Sequence, residues 1–78
     1  MASLQETIEH TFHLKTGTQL EDTVGPGDLS GWDSVGHISL ISALEATFGV
    51  ELEFDEILEI DSIASIKTLL RTKGIEEF

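Results

Sequence analysis

Apolar positions mark four stretches of the chain, three of them at helical spacing. Leu4, Ile8, Thr11 and Phe12 share one face of a helix expected over residues 3–15. Ser3 and Glu6 form an S-x-x-E capping box at its start, Lys15 suits the dipole at its end, and Gly17 closes it. Residues 16–33 hold Gly17, Gly25, Pro26, Gly27 and Gly31 and cannot continue a helix. Leu20, Val24, Leu29 and Trp32 recur there, which predicts a long loop pinned to the core, and a connection of that length is usually functional or broken by a helical turn.

A second helix is expected over residues 34–48, with Asp33 and Ser34 as alternative caps and Gly49 as its stop. Ile38, Ile41, Leu44 and Phe48 make its apolar stripe, Val35 leads into it, and Leu40, Ala43 and Thr47 widen it. One neighbouring helix would not cover so broad a face. Val50, Leu52 and Phe54 alternate with Glu51 and Glu53 in the period of a strand, but a lone strand makes no sheet. An extended linker followed by a short helix over about residues 55–59 is expected instead. The last helix runs over about residues 62–73 with Ile63, Ile66, Leu69 and Leu70 inward and Gly74 as its end. The fold class is therefore all-α: a small four-helix bundle in one domain, residues 1–78, with three longer helices, one short helix and a long loop between the first two.

Charge and composition narrow the function. Four Lys or Arg stand against fifteen Asp or Glu among 78 residues, a formal net charge of −11. That balance disfavours nucleic acid and anionic membrane surfaces and favours partners with basic patches. The chain has no cysteine, which removes disulfides, thiolate metal sites and a cysteine nucleophile. No apolar run reaches the ~18 residues of a membrane span, and residues 1–6 lack the features of a signal peptide, so a monomer in the cytoplasm is expected. So small a core leaves no room for a deep catalytic cleft, so an enzyme is not expected.

The sharpest local feature is Gly31-Trp32-Asp33-Ser34-Val35-Gly36-His37, at the junction of the long loop and the second helix. A serine at a helix start lies beside free backbone N–H groups and the positive end of the dipole, where a phosphate is at home. Capping by Asp33 or Ser34 is the competing use of the same residues. His37 is one turn from Ser34, but an exposed helix start offers neither an orienting group nor an oxyanion hole, so a serine nucleophile is not expected. His10 and His13 fall at helix edges. The run from Glu51 to Asp61 has six carboxylates in eleven positions but no glycine, which speaks against a calcium loop and for a solvated or docking face.

Asp33-Ser34-Val35 resembles the D-S-L core of the acyl carrier protein family. The likeness continues through Ile38, Leu40, Ala43-Leu44-Glu45 and Phe48, then Val50, Leu52, Ile60, Ser62-Ile63 and Ile66. It implies that Ser34 carries 4′-phosphopantetheine, attached from coenzyme A by a phosphopantetheinyl transferase, and that the protein holds acyl intermediates as thioesters for fatty-acid or polyketide-type enzymes while catalysing nothing itself. It also implies partner contacts at Asp33, Val35, Ile38, Glu45, Glu53 and Glu56, with Glu51 beside them, and no metal site. Val35 stands where the family usually has leucine, Trp32 where a small residue or leucine is commoner, and Gly36 weakens the first helical turn by about 1 kcal/mol, which implies a mobile site. Few acids on the second helix point away from an ordinary fatty-acid synthase partner. Ile38, Leu44, Leu52, Ile57, Ile60 and Ile63 read as core, and Ala43, Ala46 and Ala64 as slack through which an acyl chain could enter. Two alternatives stand beside this reading: a peptidyl or aminoacyl carrier of a nonribosomal pathway, and an unmodified acidic helical interaction module.

Overall fold

Local signals at the helix ends set the frame. In the computed structural model, which describes residues 3–78, the chain forms α1 (Leu4–Thr11), α2 (Ser34–Phe48), α3 (Phe54–Glu59) and α4 (Ile63–Thr72). No strand forms among the described residues, and residues 50–53 are extended linker as expected. The α1 capping box is made: the Glu6 amide donates to Ser3 Oγ at 3.1 Å and the Ser3 amide to Glu6 Oε1 at 3.2 Å. Ser62 caps α4 in the same way, with the Ser65 amide at 3.2 Å from Ser62 Oγ.

α1 is shorter than its periodicity predicts. It stops at Thr11, and Lys15 and Gly17 lie beyond it. The terminator is His13, which takes φ +57°, while the His13 and Leu14 amides return to the carbonyls of His10 and Glu9. This is a Schellman closure with histidine in the left-handed position that glycine usually fills. Glycine fills it at the end of α4, where Gly74 (φ +90°) and Ile75 return to Arg71 and Leu70. After α1, Glu9 Oε2 gathers the Gln5 side-chain amide (2.8 Å), the Gly17 amide (2.7 Å) and the Thr18 amide (3.2 Å), which fixes the turn at residues 16–18. Those donors, the Gln5 amide foremost, hold the buried Glu9 carboxyl below its ordinary value, against the opposing effect of burial.

The long loop is built into the fold. Its carbonyls at Val24 and Asp22 accept the first two amides of α4, from Ile63 (2.8 Å) and Ala64 (3.0 Å), and Asp22 pairs with Lys67 at 2.7 Å. Leu20, Val24 and Leu29 pack on the core half-buried, and Trp32 is 1% exposed. α1 packs chiefly against α2, burying Leu4, Ile8 and Phe12 against Leu40, Ile41 and Leu44, while Ile63, Ile66 and Leu70 bring in α4.

Ile38 departs from its expected place. It is 58% exposed and lies off the buried stripe. At 3.6 residues per turn the line through Ile41, Leu44 and Phe48 runs back to His37, not to Ile38. Histidine therefore occupies the top core position of α2, and Ile38 falls on the flank facing α3. Ala46 and Ala64 are exposed and Ala43 lies in the α1–α2 groove, so none of these alanines provides slack between α2 and α3.

Candidate functional site

The head of α2 is fixed by the residue before it. Asp33 is the N-cap, in extended conformation, with the Gly36 amide donating to Oδ1 at 2.9 Å and the His37 amide donating to its carbonyl at 2.7 Å. That settles which of the two caps is used. Ser34 is the first helical residue, exposed, and its hydroxyl has no hydrogen-bond partner among the described residues.

Gly36 has a packing role rather than the loosening role expected of it. A Cβ at Gly36 would overlap the Gly31 carbonyl oxygen and stand 3.1 Å from Phe12 Cε1. The missing side chain lets the loop backbone lie directly on the first turn of α2.

Beneath that turn lies an aromatic stack. Phe12 and Trp32 have ring centroids 5.5 Å apart at 25°, and Trp32 and His37 6.3 Å apart at 16°. Trp32 Nε1 donates to His37 Nδ1 at 3.0 Å, and His37 Nε2 lies 3.1 Å from the Ile57 carbonyl. Indole N–H can only donate, so Nδ1 is the acceptor and Nε2 carries the hydrogen given to Ile57. Both ring nitrogens are engaged, and His37 is not a base for Ser34. The sequence placed His37 near the serine but gave no sign of this bridge, because its second partner is a backbone carbonyl twenty residues away.

Ser34 opens onto a groove of about 680 Å³ between α2 and α3. Trp32, His37, Ile57 and Ile60 line it together with Ile38, Phe54 and Leu58. Phe54 (72%) and Leu58 (67%) are exposed across from Ile38, and Val35 (77%) sits beside Ser34, so the large exposed apolar side chains gather around one serine. Such a gathering on a small acidic protein marks an interaction surface.

The other residues expected at the surface divide. Asp33, Val35, Ile38, Glu51 and Glu53 are exposed. Glu45 and Glu56 are half-buried and bonded within the fold: Glu45 Oε2 accepts the Leu52 amide at 2.9 Å, and Glu56 Oε1 accepts Lys73 Nζ at 2.8 Å and the Glu53 amide at 3.0 Å. The Lys73 hydrogen bond, with the Glu53 amide behind it, holds the Glu56 carboxyl below its ordinary value.

At the head of α2 the Ser34 hydroxyl thus stands exposed beside apolar side chains, with both ring nitrogens of His37 engaged elsewhere. A family model for the phosphopantetheine attachment site matches residues 26–70, more than half of the chain, and the chain belongs to that family. No curated protein and no solved structure matches it. The protein is thus a non-catalytic carrier with covalently bound 4′-phosphopantetheine, served by a phosphopantetheinyl transferase and by biosynthetic enzymes. The residues present fit such a group: the exposed Ser34 hydroxyl is free to be esterified, and the groove beside it leaves open space for an arm. Among the described residues no helix is long and apolar enough to cross a membrane.

Proposed function

We propose that the chain is an acyl carrier protein whose prosthetic group is borne by Ser34. The observation that carries this reading is the division of labour at the head of α2, where Asp33 takes the capping role and leaves the Ser34 hydroxyl exposed within the stretch matched to the family. In the attachment step Ser34 Oγ bonds to the β-phosphorus of coenzyme A and releases its proton to the transferase or solvent. The phosphoanhydride bond breaks and adenosine 3′,5′-bisphosphate leaves. The positive end of α2 and the first-turn amides face the resulting phosphodiester. Once attached, the group supplies a terminal thiol that holds cargo as a thioester.

The chain's own residues then present the cargo. Tethering raises its effective concentration at whichever enzyme docks. Val35 and Ile38 supply exposed apolar contact, and Asp33 and Glu53 supply charge for a basic partner surface. Glu45 and Glu56 support that surface from within, through Leu52 and Lys73. The apolar lining at Ile38, Phe54 and Leu58 suits hydrocarbon-like cargo of the fatty-acid or polyketide type better than a polar peptide.

Intact mass after incubation with coenzyme A and a promiscuous transferase tests the attachment. The parent gains one phosphopantetheine and Ser34→Ala gains none. A parent that gains nothing with several transferases, or a Ser34→Ala variant that still gains it, overturns the assignment.

A further inference from the structure

A row of three rings backs the groove: Trp32 and His37 line it, and Phe12 stacks on Trp32 outside it. Phe12 from the end of α1, Trp32 from the loop and His37 from α2 stack in one row. The His37 ring then crosses to α3 through its bond to the Ile57 carbonyl. Gly36 lets the Gly31 backbone close the row from above, with no side chain between. Leu40, Leu44 and Ile66 lie beneath, each at most 1% exposed. A chain tethered at Ser34 therefore meets Trp32 and His37 first, and of the buried aliphatic core side chains only Ile60 lines the groove it would lie in.

α3 itself has little else to hold it on the α2 side. None of its residues is fully buried, and of its apolar residues only Ile57 packs on the core, half-buried. Its polar fastenings are the His37 bond at Ile57 and the Lys73 bond at Glu56, the second from the far side. His37 is thus the link that ties α3 to the head of α2.

We propose that the Phe12–Trp32–His37 row, latched to the Ile57 carbonyl, closes the bundle interior to cargo tethered at Ser34, so that a medium-length acyl chain stays on the outer face of the carrier. His37 is a positioning residue in this arrangement. It acts through α3 and touches no reacting atom. The proposal rests on Ser34 as the attachment point.

The test loads the full chain directly from octanoyl-coenzyme A with a promiscuous transferase and confirms the load by intact mass. Two readouts follow: cleavage of the thioester by hydroxylamine, compared with free octanoyl-pantetheine, and the methyl NMR shifts of Leu44, Ile63 and Ile66, compared with the acetyl-loaded chain. In the parent the thioester is cleaved at the free rate and the core methyl shifts do not move. In His37→Ala the latch is gone, cleavage slows by about tenfold, and the core methyl shifts move, a change equivalent to about 1.4 kcal/mol of chain burial. His37→Gln restores parent behaviour, because its amide can accept from Trp32 Nε1 and donate to the Ile57 carbonyl.

Three results overturn the proposal. One is a loaded parent that protects its thioester about tenfold, or moves its core methyl shifts, and this arm decides the matter even if the alanine variant does not fold. Another is a folded His37→Ala that behaves as the parent does. A chain that gains no mass overturns the Ser34 assignment and this proposal with it, whereas a loaded chain that buries its octanoyl group overturns this proposal alone.

Discussion

One methyl group added at Gly36 would drive into the Gly31 carbonyl, and neither partner can yield, since both are backbone. Alanine would gain about 1 kcal/mol of helix propensity there, but forced overpacking costs typically about 1–3 kcal/mol. Gly36→Ala is therefore expected to lose about 1 kcal/mol net, a fall in Tm of roughly 4–8 °C for a domain of this size. Thermal melts followed by circular dichroism check this, and an unchanged or higher Tm would show that the loop does not press on α2. At this scale the sequence was only half legible. That a helix starts at Asp33-Ser34 could be read from residue type and position, because a helix start uses few residue types, but not which of the two caps it. Gly36 could not, since a glycine needed for close approach and a glycine that merely loosens a helix look the same in one dimension. His37 was hidden for the opposite reason: a polar residue on the core line is counted as a break in the stripe, and only its bonds to Trp32 and Ile57 make it part of the core.

Among the elements, α2 and α4 kept their expected bounds closely, because each has a cap at its start and a glycine at its stop, although Ile38 falls off the buried stripe of α2. α1 did not. Its apolar spacing ends at Phe12, and the left-handed His13 supplies a stop that histidine does not advertise. α3 depends on tertiary bonds for its place, so its packing was the least legible. Those bonds give a pH dependence with a definite sign. Glu9, which fixes the turn after α1, and Glu56, which ties α3 to Lys73, both have carboxyls held below the ordinary value of 4.5. A carboxylate depressed in the folded state contributes stability that is present above its unfolded value and lost as pH falls through the folded one. Melting temperature is therefore expected to drop on the acid side of about pH 4.5. The Glu9→Gln, Glu56→Gln double variant should melt lower at neutral pH and show a shallower acid limb, because the two titrating groups are gone. Melts taken from pH 6 to pH 3 compare the limbs, and parallel curves for parent and variant would contradict the assignment.

For the molecule as a whole, charge opposes the fold that the core sustains. Fifteen carboxylates and four Lys or Arg share a body with extents of 28 × 26 × 20 Å. Two of those cations are committed to ion pairs, Lys67 with Asp22 and Lys73 with Glu56. At about 10 mM ionic strength the screening length is about 30 Å, longer than the molecule, so carboxylates on opposite faces repel one another. At about 150 mM it shrinks to about 8 Å, and only near neighbours do. Salt also weakens the two ion pairs, but pairs near the surface contribute only about 0–1 kcal/mol each, and the excess of like charge is spread over the whole surface. The repulsive contribution wins. Melting temperature at pH 7 is expected to rise steadily between those two ionic strengths, and Glu51→Gln, which removes one exposed carboxylate, should raise the low-salt value more than the high-salt one. A melting temperature indifferent to salt, or a Glu51→Gln effect of equal size at both strengths, would mean that the acidic surface is locally compensated and that its charge is available to basic partners without cost to the fold.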